Sequence, residues 1–326
     1  LVNPNGIISG EDSTVNVHAL IASTLDIADS AFLSGNISFQ GDSEAEVMNL
    51  GSINAKDFAA LIGGKLDNAG SISVPGGDAA LLAADAVLEV GEASGGKITL
   101  DLSGLLEGSA SNSGSMDVSS STMQGGSATI LGEQVSVSGS VDASGVTSGG
   151  TINVGGDFQG GNPDLTNATT ADVTGTLAAD SEVNGNGGRI IVWADGVTSF
   201  SGDLSATGVE SGGFAEVSGK SVLNFSGSVD LTSESGVVGS LLLDPTNITI
   251  SNTGSHTSIA TSGSTILEPS AAAGSVISLS TLNSALASSN VTIQTAAGGG
   301  SEDGNISVDT GLAITGPNTR YLVADG

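Results

Sequence analysis

Residues able to do chemistry are few and widely spaced in this chain. The bases are Lys56, Lys65, Lys97, Arg189, Lys220 and Arg320, with none from Ile98 to Gly188. The histidines are His18 and His256, and cysteine is absent. A polysaccharide lyase needs a positioned base, commonly with Ca²⁺ held by carboxylates, and scattered cations do not provide that base. A glycoside hydrolase needs two carboxylates about 5–9 Å apart. With 35 Asp and Glu, such pairs arise by chance. Sugar clefts favour aromatic platforms, yet Trp193 and Tyr321 are the only Trp and Tyr. Trp193, just before Asp195-Gly196, is a weak glycan-stacking candidate, and it reads first as a large side chain filling a corner of the fold. Two histidines and no thiolate leave no multi-His or Cys metal site. Glu302-Asp303-Gly304-Asn305 and Asp325-Gly326 could meet Ca²⁺, but match neither the EF-hand loop nor the nonapeptide calcium repeat. Gly298–Gly300 precede no Lys-Ser/Thr and form no phosphate loop. The expectation is a non-enzyme with no catalytic residue, no metal site and no cofactor, calcium being the one secondary candidate.

Composition narrows the class further. The 326 residues carry 6 Lys+Arg against 35 Asp+Glu, a net charge of −29. Such a chain repels a phosphate backbone, so no nucleic-acid partner is expected. The longest apolar stretch, Ala79–Ala84, is broken by Asp85, far short of a membrane span, so no membrane insertion is expected either. Apolar residues at 38% and a mean hydropathy of +0.23 argue against disorder. With aromatics at 3% and 50 glycines, the core must be narrow and built from Val, Ile, Leu and Ala.

Internal repetition supplies the architecture. Near-copies begin at Gly125 (GGSATILGEQVSVSGSVDAS), Gly187 (GGRIIVWADGVTSFSGDLSAT) and Gly212 (GGFAEVSGKSVLNFSGSVDLT), with a partial copy at Gly149. The repeat is loosely 19–25 residues, with an irregular insertion from about Asp157 to Asn186. Each copy alternates over four to six residues and then breaks at Gly, Asn or Asp, as in Thr151–Val154 and Asn247–Ile250. Such β-branched runs read as short strands. Several short strands per repeat predict a right-handed parallel β-helix, with a β-sandwich as the competitor. At about 25 residues per turn the length gives about 13 rungs. Minor extra-helical hairpins are expected, and a short helix over 280–288 with Ser280 as its cap. Asp78–Val90 is assigned to strand. The organisation expected is one continuous solenoid in three parts, 1–90, 91–250 and 251–326. Neither end looks capped.

The opening residues Asn3-Pro4-Asn5-Gly6-Ile7, followed by VNVHALIASTLDIADSAFLSGNISFQG from Val15 to Gly41, resemble the secretion domain of filamentous haemagglutinin-type exoproteins. These are the passengers of two-partner secretion. The likeness continues through GSINA, ALIGGKLDNAGSI and AALLAADAVLEV, and through GGRIIVWADGVTSFSG, GGFAEVSGKSVLNFSG and SLLLDPTNITI. It is strong over Leu1–Val90 and Gly187–Ile250. In the family a second Asn-Pro-Asn motif and a long signal peptide precede this region, and neither is in this chain. The resemblance implies secretion to the outer surface of a Gram-negative bacterium through an outer-membrane β-barrel transporter. It places Asn3, Pro4, Asn5, Gly6 and Ile7 in the secretion motif; as residues they read first as a tight turn. Some members carry glycans at Asn-X-Ser/Thr triplets, which here begin at Asn36, Asn167, Asn224, Asn247, Asn290 and Asn305. The function expected is that of a non-catalytic adhesin or stalk with an unidentified host, surface or glycan receptor. The alternatives are an extracellular filament subunit stacking end to end and, at low weight, a polysaccharide-active enzyme.

Overall fold

The structure is a computed structural model. It describes the chain apart from residues 35–36, 85–87, 93–97, 103–107, 164, 253–260, 263–264, 267–273, 296–303 and 325–326. Asn36, Asp85, Lys97, His256, Gly298–Gly300, Glu302, Asp303, Asp325 and Gly326 therefore lie outside the described residues.

Three parallel sheets of 11, 8 and 10 strands wrap one thin core. One turn shows the pattern. Val197–Phe200 lies in the first sheet, Asp203–Ser205 in the second and Phe214–Gly219 in the third. The chain then returns to the first sheet at Val222–Phe225, directly beside its starting strand. This is a parallel β-helix, as the repeats predicted. Like residues stack between rungs. Phe200 pairs with Phe225, Leu204 with Val229 and Val192 with Val217. The two phenyl rings stack with centroids 5.7 Å apart and planes 10° apart. Each Val, Leu or Ile buried in such a column contributes roughly 1.5–3 kcal/mol relative to exposure. One apolar cluster runs from Ala22 to Ile293, across both of the sequence-based boundaries.

The corners explain the glycine content. Gly114, Gly139, Gly175 and Gly202 fall one above another between the first and second sheets. A Cβ on Gly139 would stand under 3.0 Å from the Gly114 carbonyl oxygen of the rung below. Gly126, Gly150, Gly188 and Gly213 form the equivalent column before the third sheet. Adjacent rungs bring backbone against backbone there, so only hydrogen fits. A different stack fills the first-to-second corner on the inside. Asn49, Asn68 and Asn112 are buried in register. The Asn49 Nδ2 donates to Asn68 Oδ1 at 2.8 Å, and Asn68 Nδ2 donates to Asn112 Oδ1 at 2.6 Å. Each amide also reaches a backbone carbonyl across the corner, of Ser71, Ser115 or Ser140.

The described residues place ten strands in the third sheet, fewer than the 13 rungs expected. Residues counted as rungs are spent on excursions. Asp26–Ile27, Ile37–Gln40, Leu88–Glu92 and Ile98–Leu102 leave the solenoid and pair antiparallel as a separate sheet, as the expected extra-helical hairpins. Asp29–Ser34 adds a one-turn helix. Phe58, Ala60, Ile62, Ala80 and Leu82 of the third sheet join Leu25 and Phe39 in a second apolar cluster. The outward side of these rungs is therefore buried as well.

Past Leu243 the order changes. Ser275–Ser278 enters the first sheet between Val222–Phe225 and Ile248–Ser251, although it follows both in sequence. It leads straight into the helix Leu279–Ser288. The cap is Ser278, whose Oγ accepts from the Thr281 N–H at 3.0 Å, and not Ser280, which already lies in the first turn. Leu282, Ala285 and Leu286 face the core. The helix lies along the last strand of the second sheet, where the Leu231 N–H donates to Ser288 O. Asn318 Nδ2 and the Thr315 N–H then tie the following segment over it, to Leu286 O and Asn283 Oδ1. The edge of the second sheet is thus covered, while Ile306–Val308 and Arg320–Val323 stand as largely exposed edge strands of the first and third sheets.

Asn68→Ala should destabilise the protein by about 1–3 kcal/mol, because it leaves buried amide partners on both neighbouring rungs unpaired. Gly139→Ala should cost about 1–3 kcal/mol or more through backbone overpacking. Denaturant unfolding monitored by far-ultraviolet dichroism measures both.

Candidate functional site

The motif residues Asn3–Ile7 meet in one turn at the first rung. Leu1–Asn3 runs along the edge of the third sheet, with Val2 bridged to Ser23. The Ser23 N–H donates to Leu1 O, and the Asn3 N–H to Ser23 O. The chain must then cross to the first sheet, where Ile7 pairs with Val47. It does so in four residues. The Gly6 N–H closes the turn on Asn3 O at 3.1 Å. The Asn3 side chain locks it from both sides, donating from Nδ2 to Gly6 O at 2.8 Å and accepting the Asn5 N–H at Oδ1, 3.2 Å away. Gly6 has φ +109°, which an L side chain rarely adopts. From the excursion outside the solenoid, Ser43 Oγ donates to Pro4 O at 2.7 Å. Asn3, Pro4 and Asn5 are exposed, while Ile7 packs against the core. The turn reading is therefore met: an uncharged knuckle on the surface, anchored by an apolar residue beneath.

Trp193 is elsewhere, and the structure corrects its role. It lies on the third sheet facing away from the main core, at 5% exposure. The segment 155–161 folds over it. A Cβ on Gly160 would stand 2.5 Å from the indole Nε1. The indole N–H donates to Asp195 Oδ1 at 3.1 Å, and Asn167 Nδ2 bonds the same carboxylate and Gly160 O. An indole held this way has no free face for a sugar ring. It fills space beneath an insertion and does not occupy a corner of the rungs.

The same insertion holds a group that sequence reasoning missed. Glu216 is 0% exposed on the strand next to Trp193, under the turn Phe158–Gly160. Its Oε2 accepts the Gln159 N–H at 3.0 Å, and its Oε1 has no partner. Burial pushes its carboxyl up to about 7, against the Gln159 and Ser218 hydrogen bonds and with a further push from nearby Asp244. Asp244 is raised too, by burial, although the Gln159 side-chain amide donates to its Oδ2 at 2.9 Å. Arg189 Nη1 pairs with Asp157 Oδ1 at 3.1 Å, and the Arg189 Cζ lies 5.8 Å from the Phe158 ring centroid. Burial favours neutral Asp157, but bonds from Phe158, Asn162 and Arg189 hold it below the ordinary range. The signal for this cluster was present in the irregular spacing after Asp157, together with a lone Glu inside the apolar run Phe214–Val217. Glu216 and Asp244 are a carboxylate pair, but Glu216 is sealed under protein.

Among the described residues, the remaining candidates are brought to no common site. His18 Nε2 stands 2.8 Å from Asp57 Oδ2 in an exposed pair. Among the described residues no three His, Asp or Glu cluster as metal ligands.

No family model and no curated protein matches this sequence. Among solved structures, the fold is similar to the HMW1 secretion domain from Haemophilus influenzae, with a TM-score of 0.58. The match covers 94% of this chain and 79% of that one at 19% identity, so what it establishes is the shared architecture.

Trp193→Ala should loosen the insertion, since emptying a buried indole site costs about 3–5 kcal/mol. Limited chymotrypsin digestion should then cut after Phe158 faster than in the wild type, with the rest of the solenoid still resistant.

Proposed function

We propose that this chain is a secreted, surface-associated exoprotein of the two-partner-secretion type, exported through an outer-membrane β-barrel transporter and acting as a non-catalytic adhesin or stalk. The observation that carries this reading is the exposed Asn3–Ile7 turn on the first rung of a solenoid with the architecture of a secretion domain. The turn needs only residues within four positions of one another, plus Ser43. It is the kind of local feature that a transporter can read before the rungs have stacked.

The physical properties fit export and exposure. Without cysteine, no redox step is needed on either side of a membrane. Rungs add one to the next, so folding can propagate along the rod as chain emerges. The net charge of −29 keeps exposed rods apart. Among the described residues no helix is long and apolar enough to cross a membrane. End-to-end stacking as a filament is opposed by the same charge and by the helix lying over the second sheet's edge.

Recognition and turn structure separate by mutation. Asn5 contributes its backbone N–H to the turn and Pro4 its carbonyl, so Pro4→Ala with Asn5→Ala removes no side-chain hydrogen bond of the turn. Surface changes of this kind alter stability by about 0.5–1 kcal/mol. Co-expressed with a two-partner transporter, the double variant should appear in the medium at no more than about a tenth of the wild-type amount, a difference of about 1.4 kcal/mol in transporter engagement, while the purified protein melts as before. Wild-type export of this variant, with loss only for Asn3→Ala, would reduce the motif to a structural turn.

A further inference from the structure

The insertion over the third sheet is fastened in an unusual way. Gln159 is the one non-glycine residue with positive φ among the described residues, at φ 53°. That conformation sets its backbone N–H on Glu216 and its side-chain amide on Asp244, residues 57 and 85 positions away. One residue thus clasps two carboxyl groups on successive rungs. A buried carboxylate ordinarily collects two or three donors. Glu216 has the Gln159 N–H at Oε2 and the Ser218 hydroxyl close to its carboxyl, with no partner at Oε1. The site is built for the neutral acid, whose carbonyl oxygen accepts the Gln159 N–H.

The surrounding charges point the same way. Asp244 faces Glu216 from the next rung and repels its ionised form, while Gln294 reaches Asp244 from Asn290–Gln294. Arg189, one rung below, favours the ionised form, but its guanidinium is engaged by Asp157 of the insertion. Asp195 is bonded by Trp193 and Asn167, and Lys220 is exposed beyond the strand end. The nearest cation is therefore already shared when the proton leaves.

We propose that residues 157–162 are a proton-held flap: the flap is seated on Trp193 while Glu216 carries its proton, and lifts when that proton passes to water. Two adjacent carboxylates in a dry pocket repel, and admitting water beneath Gln159 relieves both. Lifting uncovers the indole of Trp193, the ring of Phe214 and the Arg189 guanidinium as one surface. The carboxyl is raised in the folded state, so its contribution to seating is complete in mild acid and is lost as pH rises through about 7.

Trp193 is the only tryptophan, so its fluorescence reports the flap directly. Emission and acrylamide quenching are followed from pH 5 to 9 at constant ionic strength, with far-ultraviolet dichroism alongside. The expected result is a red shift and a several-fold rise in quenching centred near pH 7, with the sheet signal unchanged. Glu216→Gln, neutral at every pH, should abolish the transition and keep the indole protected throughout. Asp244→Asn removes the repelling neighbour and should move the midpoint to lower pH, because the Asp244 charge helps hold the Glu216 carboxyl up. An emission maximum unchanged across the range, or a transition that persists in Glu216→Gln, would overturn the proposal. If Glu216→Gln does not fold, the Asp244→Asn midpoint decides: no movement sinks the idea.

Discussion

Parallel rungs about 4.8 Å apart, hydrogen-bonded in register, impose the constraint on which everything else in this protein rests. A side chain at one position must accommodate the same position one turn earlier and one turn later. Inside, that selects columns of Val, Leu, Ile and Ala, and a stacked Phe200–Phe225 pair. At the corners it selects glycine, because carbonyls of one rung approach the Cα of the next too closely for a Cβ. The buried Asn49–Asn68–Asn112 ladder obeys the same rule in polar form, since each amide offers one edge down and the other up. The abundance of glycine and the scarcity of aromatics are consequences of one spacing.

A solenoid under that constraint has few places for buried polar chemistry. Its interior is narrow and apolar, and its faces are flat. Chemistry arises where the chain leaves the rungs and folds back over an outer face. The excursion sheet does this apolarly, closing over Phe58, Ala60 and Ile62. The insertion at 157–162 does it with charges, enclosing Glu216 and Asp244 beneath Gln159 and spending Arg189 on Asp157. Both lie against the third sheet, whose strands of up to six residues give the broadest flat surface.

Function in such a rod is a matter of surface and order of assembly. The Asn3–Gly6 turn joins the edge of the third sheet to the start of the first, so it closes the first rung. Its bonds are local, its polar atoms are uncharged and its exposed face is small. A feature of this kind can be complete early and remain accessible on the finished rod. This is the property that a transport signal and a folding nucleus would share.

Period and punctuation were legible in the sequence because the rung constraint is written locally. Alternation over four to six residues, Gly-Gly before the third-sheet strands at Asp78, Ser127, Thr151, Arg189 and Phe214, and a repeat near 25 residues specify a parallel solenoid without any knowledge of contacts. The Asn3–Ile7 turn was legible for the same reason, being made of neighbours. The strand character of Asp78–Ala83 followed from the rung period, although its composition is helical. What the sequence could not reveal depends on which surface an excursion covers. Thirteen rungs became ten third-sheet strands because dividing the length by the repeat assigns every residue to a rung, including those of the excursions. Ser275–Ser278 slipping between two earlier strands left no local trace. The burial of Trp193 and Glu216 left only an indirect trace, in the irregular spacing after Asp157 and the lone Glu of an apolar run, for both stand at outward-facing positions that would be wet on a bare rod. Local periodicity fixed which way each side chain points, whereas only tertiary folding decided whether solvent or another part of the chain lies there.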